Sequence, residues 1–197
     1  EGSGTLLYDQ KQAQIRKHDF MYLPVGVKHG LSNSFSAPVR VLVMGYRIPD
    51  GTKVEPTPEL LLANAADVPL QVLGQHGPTT QFRLLMGLTR SRRDKLAAAY
   101  VMNSMFLMEF APGGTNIPHS HPAEEEIYYL VRGKGDMVAG RNAQGEENRV
   151  PALPGDAFFF PPNTLVGYYS AAREGQEPDI IFAVRSRLPG ARFGPGP

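Results

Sequence analysis

An all-β fold of short strands is what this sequence predicts, and two observations carry the prediction. The 197 residues include 21 Gly and 18 Pro, so turn-makers interrupt the chain throughout and few helical stretches remain. Between the turns lie runs rich in β-branched and aromatic residues, among them Val39 to Met44 and Glu126 to Val131. Hydrophobic residues make up 42% and charged residues 20%, a globular balance. The formal net charge is only +1, which gives no whole-chain attraction to nucleic acid or an anionic membrane. No apolar run approaches a membrane span. The absence of cysteine removes disulfides, thiol nucleophiles and thiolate metal sites. That absence is compatible with a cytoplasmic protein.

In chain order, residues 1–50 read as strands with short turns. Residues 51–78 read as a linker with a short helix. Thr57 is its N-cap, Pro58 its first helical position and Glu59 an acid in its first turn, and Leu60 to Ala66 supply about two turns before Pro69. Residues 79–187 form a complete β-domain with strands near 81–87, 103–111, 115–121, 126–132, 136–140, 156–160, 165–170 and 179–186. Ser91 to Ala99 is a short helix or an irregular loop. Residues 188–197, ending Gly-Pro-Gly-Pro, read as a tail.

The chemistry concentrates at His119, His121 and Glu126. A His-x-His pair on a strand puts both imidazoles on one face, because strand side chains alternate. Pro122 and Ala123 suit a turn, after which Glu126 can face the pair. Two neutral imidazoles and a carboxylate are a donor set for a divalent transition metal with positions left open. Gly113, His119, His121, Glu126 and Gly133 stand in the spacing of the first cupin motif, and the chain resembles the cupin superfamily. The resemblance implies a double-stranded β-helix, or jelly-roll barrel. It returns upstream, where Pro24, Gly26, His29 and Asn33 match the second cupin motif, with His18 where that motif usually has Gly. Gly2 and Gly4 then align with Gly133 and Gly135. The resemblance is therefore to a two-barrel cupin (a bicupin): 1–50 is the C-terminal part of a first barrel, whose leading segment, absent from this chain, is one expected partner.

In the later barrel the second motif begins with Gly155 and Pro161 but then departs from the family pattern. Asn163 replaces Gly, Val166 stands where the third histidine is expected and Ser170 where Asn is. The metal set implied is His119, His121 and Glu126, holding Fe, Mn, Ni or Zn. The competing reading is a remnant set in a polar cavity, yet buried ionisable groups are costly unless paired or coordinated. His29 is either a ligand in an intact first barrel or a plain pocket histidine, and His76, in a Gly-Gln-His-Gly turn, is expected to be solvated.

Alternation sends Glu126, Tyr128 and Leu130 inward and Ile127, Tyr129 and Val131 outward. The outward set is apolar too, which predicts packing against another barrel or subunit and hence a homo-oligomer. Tyr128, Phe159 and Tyr168 are candidate pocket residues, with barrel core the stronger reading for Phe159. Tyr168 and Glu125 are the candidate acid–base groups. Arg90, Arg92, Arg93 and Lys95, with Asp94 among them, read as a solvated face. Two functions follow. One is a metal-dependent enzyme of oxygenase, isomerase or decarboxylase type acting on a small oxygen-rich substrate. The other is a non-catalytic bicupin that binds a small ligand or serves a structural or storage role, a reading that Val166 favours.

Overall fold

The computed structural model describes residues 1–74 and 76–187 and divides the chain into two compact units, Glu1–Val68 and Pro69–Pro197. The tail expected at 188–197 lies outside the described residues. Among the described residues no helix is long and apolar enough to cross a membrane.

The first unit contains β1 (Gly4–Tyr8), β2 (Lys11–Ile15), β3 (Asp19–Tyr22), β4 (His29–Ser32) and β5 (Leu61–Asn64). β1 lies between β2 and β4 in an antiparallel sheet, and β3 pairs with β5. Leu6, Tyr8, Ile15, Phe20, Ala65 and Val68 supply the buried apolar side chains.

Two elements differ from the sequence expectation. No helix spans Leu60 to Ala66: β5 occupies 61–64, and a single 3-10 turn follows at Ala65–Asp67. Asn64 decides this locally. Its Oδ1 accepts from the Ala66 amide at 2.9 Å, while its Nδ2 donates to Lys17 O at 3.0 Å and to Asp19 Oδ1 at 2.7 Å. These bonds lock the chain to β3 and compete with helical pairing. The run Val39 to Met44, expected as a strand, joins no sheet among the described residues and leaves Val43 80% exposed. β-propensity without a partner strand does not make a ladder.

The second unit comprises β6 (Thr80–Leu88), β7 (Leu96–Ala99), β8 (Met102–Phe110), β9 (Glu124–Arg132), β10 (Gly135–Arg141), β11 (Glu147–Ala152), β12 (Ala157–Phe160), β13 (Val166–Ser170) and β14 (Asp179–Arg187). A six-stranded sheet runs β12-β9-β14-β8-β6-β7, and a three-stranded sheet runs β11-β10-β13. Side chains from both sheets, including Phe82, Phe106, Tyr128 and Ile181 from one and Met137, Val166 and Tyr168 from the other, meet in one core. This is the all-β jelly-roll architecture the sequence implies. β7 and β11 are strands the sequence did not signal. β7 runs parallel to β6, so the Ser91–Ala99 stretch is bends followed by a strand.

The strand expected at 115–121 is an extended segment with isolated bridges at Thr115–Tyr169 and His119–Val166. Its ladder is broken because Ile117 has φ +48°, a costly conformation for a β-branched residue. Phe159 is not core. It lies opposite Ile127 on the outer face and is 58% exposed.

Candidate metal centre

The site is assembled by three segments of the second unit. In β9 the alternation aims Glu124, Glu126 and Tyr128 to one side, while Glu125 faces the other. β14 then lays Arg185 directly across from Glu126, so the two share a face. The histidine segment is fixed by backbone bonds: His119 and Val166 exchange bonds of 3.0 and 2.7 Å, and the Asn163 amide donates to His121 O at 2.8 Å. Gly167 permits this close approach, since a Cβ there would stand 2.8 Å from Pro118 Cγ.

His119 Nδ1 lies 2.9 Å from Ile117 O, so this nitrogen carries the proton and Nε2 keeps its lone pair. That Nε2 is 3.1 Å from His121 Nε2. His121 Nε2 is in turn 3.7 Å from Glu126 Oε2, and its Nδ1 is 3.6 Å from Glu124 Oε2. Glu124 is held from behind by Asn103 Nδ2 and by Arg185 Nε at 3.3 Å. Glu126 is 2% exposed, and its Oε2 is buried with no hydrogen-bond partner among the described residues.

His76 is not solvated as its turn sequence suggests. Its ring sits 4.7 Å from His119 and 4.8 Å from Phe82, centroid to centroid. His76, Arg93, Ser104, Glu126, Tyr128 and Arg185 are among the residues lining a cavity of about 20 Å³, room for a water-sized occupant. Arg93 borders the cavity while staying exposed, as Arg90, Arg92 and Lys95 are.

Burial dominates the electrostatics. It pushes His121 down to about 3, helped by Arg185 and the neighbouring imidazoles, and pushes His76 down to about 4 with help from His119. Burial also lowers His119, against the Ile117 carbonyl, and raises Glu126 to about 7 against the pull of Arg185. At neutral pH the imidazoles are therefore uncharged and present lone pairs.

Tyr168 is fully buried but points elsewhere: its hydroxyl donates to Asp179 Oδ2 at 2.8 Å, and it does not line the cavity. Glu125 pairs across from Ser186, away from the histidines. Alternation from Glu126 would have identified Glu124. Arg185 and His76 carry no sequence signal, because strand pairing and loop packing bring them in. In the first unit His29 is exposed, with Nδ1 2.9 Å from Val27 O, beside an open groove of about 240 Å³.

Among the described residues no three His, Asp or Glu side chains stand as a ready metal cluster. The donor chemistry nonetheless fits a divalent transition ion. Nitrogens each about 2.1 Å from one ion stand about 3 Å apart at a near-octahedral angle, which the 3.1 Å His119–His121 separation matches. The orphaned Glu126 Oε2 supplies an oxygen donor beside them.

Two β-sheets packed on one core, with two imidazoles and a buried carboxylate side by side, are the class that fold and site define. Residues 106–176 match the Cupin domain model, so this stretch of the second unit is a cupin domain. It is 30% identical over 126 residues to germin-like protein subfamily 1 member 13 of Arabidopsis thaliana, covering 61% of this chain and 54% of the relative. It is 32% identical over 76 residues to glucose-6-phosphate isomerase of Thermococcus kodakarensis, covering 39% and 38%. The chain spans about half the length of the germin-like proteins it matches, 47% for subfamily 2 member 4 of Arabidopsis thaliana. The provisionally named glyoxylate-induced protein of Pseudomonas aeruginosa shares the fold along all of this chain and 67% of its own, with TM-score 0.67 and 16% identity.

Proposed function

We propose that the protein is a metal-binding two-barrel cupin whose second barrel is a metal-dependent enzyme site for a small oxygen-rich substrate. The observation that carries this is the His119–His121 nitrogen pair at 3.1 Å beside the buried, unpartnered Glu126 Oε2. The fold likeness that runs along the whole chain supports the two-barrel part. His119, His121 and Glu126 would hold Fe, Mn, Ni or Zn. When bound, such an ion supplies Lewis acidity toward carboxylate, enediol or diketone oxygens.

The chain's own groups do the rest. Arg185, next to the donors, can bind and orient an anionic oxygen. Glu126 and the buried Tyr128 hydroxyl, which Asn116 Nδ2 approaches at 3.4 Å, can hold a proton at the cavity wall. Phe82, Leu84 and Phe106 keep bulk water out. Oxygenase, isomerase and decarboxylase chemistry share these requirements.

Elemental analysis of the purified protein is the test. One equivalent of transition metal per chain, lost in His119→Ala while the β-sheet circular dichroism is kept, is the expected result. A metal-free protein that cannot be loaded at neutral pH overturns the reading. That outcome favours the second one, a non-catalytic ligand-binding or structural bicupin, which Val166 at the third-histidine position supports.

The outer face of β9 and β12 leaves Ile127 39%, Val131 40% and Phe159 58% exposed. We assign a second copy of the chain to this face, making a homo-oligomer. A monomeric sedimentation coefficient at micromolar concentration would exclude it. A cysteine-free chain also suits the cytoplasm, where we place it.

A further inference from the structure

The family pattern leaves the second barrel one imidazole short. Val166 is 1% exposed in the core at the place of the missing ligand. Yet a third histidine is present, delivered by the segment that precedes β6. His76 packs its ring against His119 at 4.7 Å and nearly perpendicular, at 80°. His119 stands in the same relation to His121, at 4.8 Å and 88°. The three rings form a contiguous row. His76 Nδ1 is buried with no hydrogen-bond partner among the described residues, as is Glu126 Oε2, and both residues line the same cavity. A buried nitrogen without a partner is costly, and a cation removes the cost by accepting its lone pair. The loop is tied down near this point, where Gly77 meets Ile117 of the histidine segment. Phe82 packs on the same His76 ring at 4.8 Å, tilted by 53°.

We propose that His76 is the third imidazole ligand of the metal centre, replacing from the β6 side the ligand that Val166 cannot supply. This rests on the metal-binding reading above and makes the set three nitrogens and one carboxylate oxygen. Such a set suits a borderline divalent ion such as Zn²⁺, Ni²⁺ or Fe²⁺. It also closes one of the positions that a two-histidine, one-carboxylate set leaves open.

The chain has five histidines, and the remaining two, His18 and His29, belong to the first unit. The probe is therefore Cu²⁺ bound to the His18→Gln/His29→Gln protein, with coordinated imidazoles counted by pulsed electron paramagnetic resonance. Three coordinated imidazoles are expected, falling to two in His76→Ala. Zn²⁺ affinity, read by competition with a chromophoric chelator, is expected to fall at least tenfold in His76→Ala, since supporting partners alone are worth about 10–100-fold. His76→Gln keeps a polar side chain and is expected to behave as His76→Ala, which covers the case where the alanine variant does not fold. Two imidazoles, or unchanged Zn²⁺ affinity in the folded variants, overturn the role of His76 and leave metal binding intact. No metal uptake by the wild-type chain overturns both.

Discussion

Arg185 Nη1 lies 3.3 Å from both ring nitrogens of His121, so a permanent cation borders the imidazole that is nearest both carboxylates. Arg185 lowers His121, but burial is the larger cause. Replacing Arg185 by Gln should therefore raise the His121 pKa from about 3 while leaving it below the usual 6.5. Proton NMR titration of the imidazole Cε1–H signal of metal-free protein measures this. An unmoved titration would show that the charge is not felt at the ring.

Glu126 has a pKa raised from 4.5 to about 7, mainly by burial. Below 4.5 the side chain is protonated in both folded and unfolded states, and no stability is lost. As pH rises toward 7 the unfolded chain releases its proton first, so stability falls across that window. The full difference corresponds to about 3 kcal/mol. Metal-free Glu126→Gln should match the wild type in urea unfolding near pH 4 and exceed it by up to about 3 kcal/mol near pH 8. Equal unfolding midpoints at both pH values would contradict the raised pKa.

His76 and His121 act in the opposite direction. Both are held below 6.5, so as pH falls below 6.5 the unfolded chain takes up protons that the folded chain refuses. Stability of metal-free protein should drop as pH goes from 6.5 toward 4, and His121→Gln should flatten that slope. A pH series of thermal melts measures it, and an unchanged slope would assign the acid sensitivity elsewhere.

The Tyr168–Asp179 bond of 2.8 Å joins two buried residues. Tyr168→Phe strands a buried carboxylate and should cost about 2 kcal/mol in urea unfolding, without moving the histidine titrations. A shift in the imidazole signals would couple Tyr168 to the histidine cluster after all.

Val41, Leu42 and Val43 are exposed, strand-prone and outside any sheet among the described residues. Val43→Lys should lower aggregation on heating, followed by light scattering, with little change in the melting of the second unit. Unchanged scattering would show that this run does not seed association.

The sequence made β6, β8, β9, β10, β12, β13 and β14 legible, because alternation and turn residues there agree with the pairing found, while β7 and β11 carried no such signal. It also marked His119, His121 and Glu126, whose spacing is local. The rest of the site was hidden for one reason: it depends on contacts between distant positions. Arg185 faces Glu126 only because β14 pairs with β9 in that register. His76 joins the row only through packing on Phe82 and His119. The helix expected after Thr57 failed similarly, since β3 offered Leu61–Asn64 a partner that propensity could not see.

β14 lies between β9 and β8, both of which precede it in the chain. During synthesis on the ribosome those two strands emerge with open edges, and each must wait for the same late arrival. The nascent second unit is thus most prone to sticking to its neighbours just before β14 leaves the exit tunnel, and a chaperone that shields β-edges would matter most at that moment.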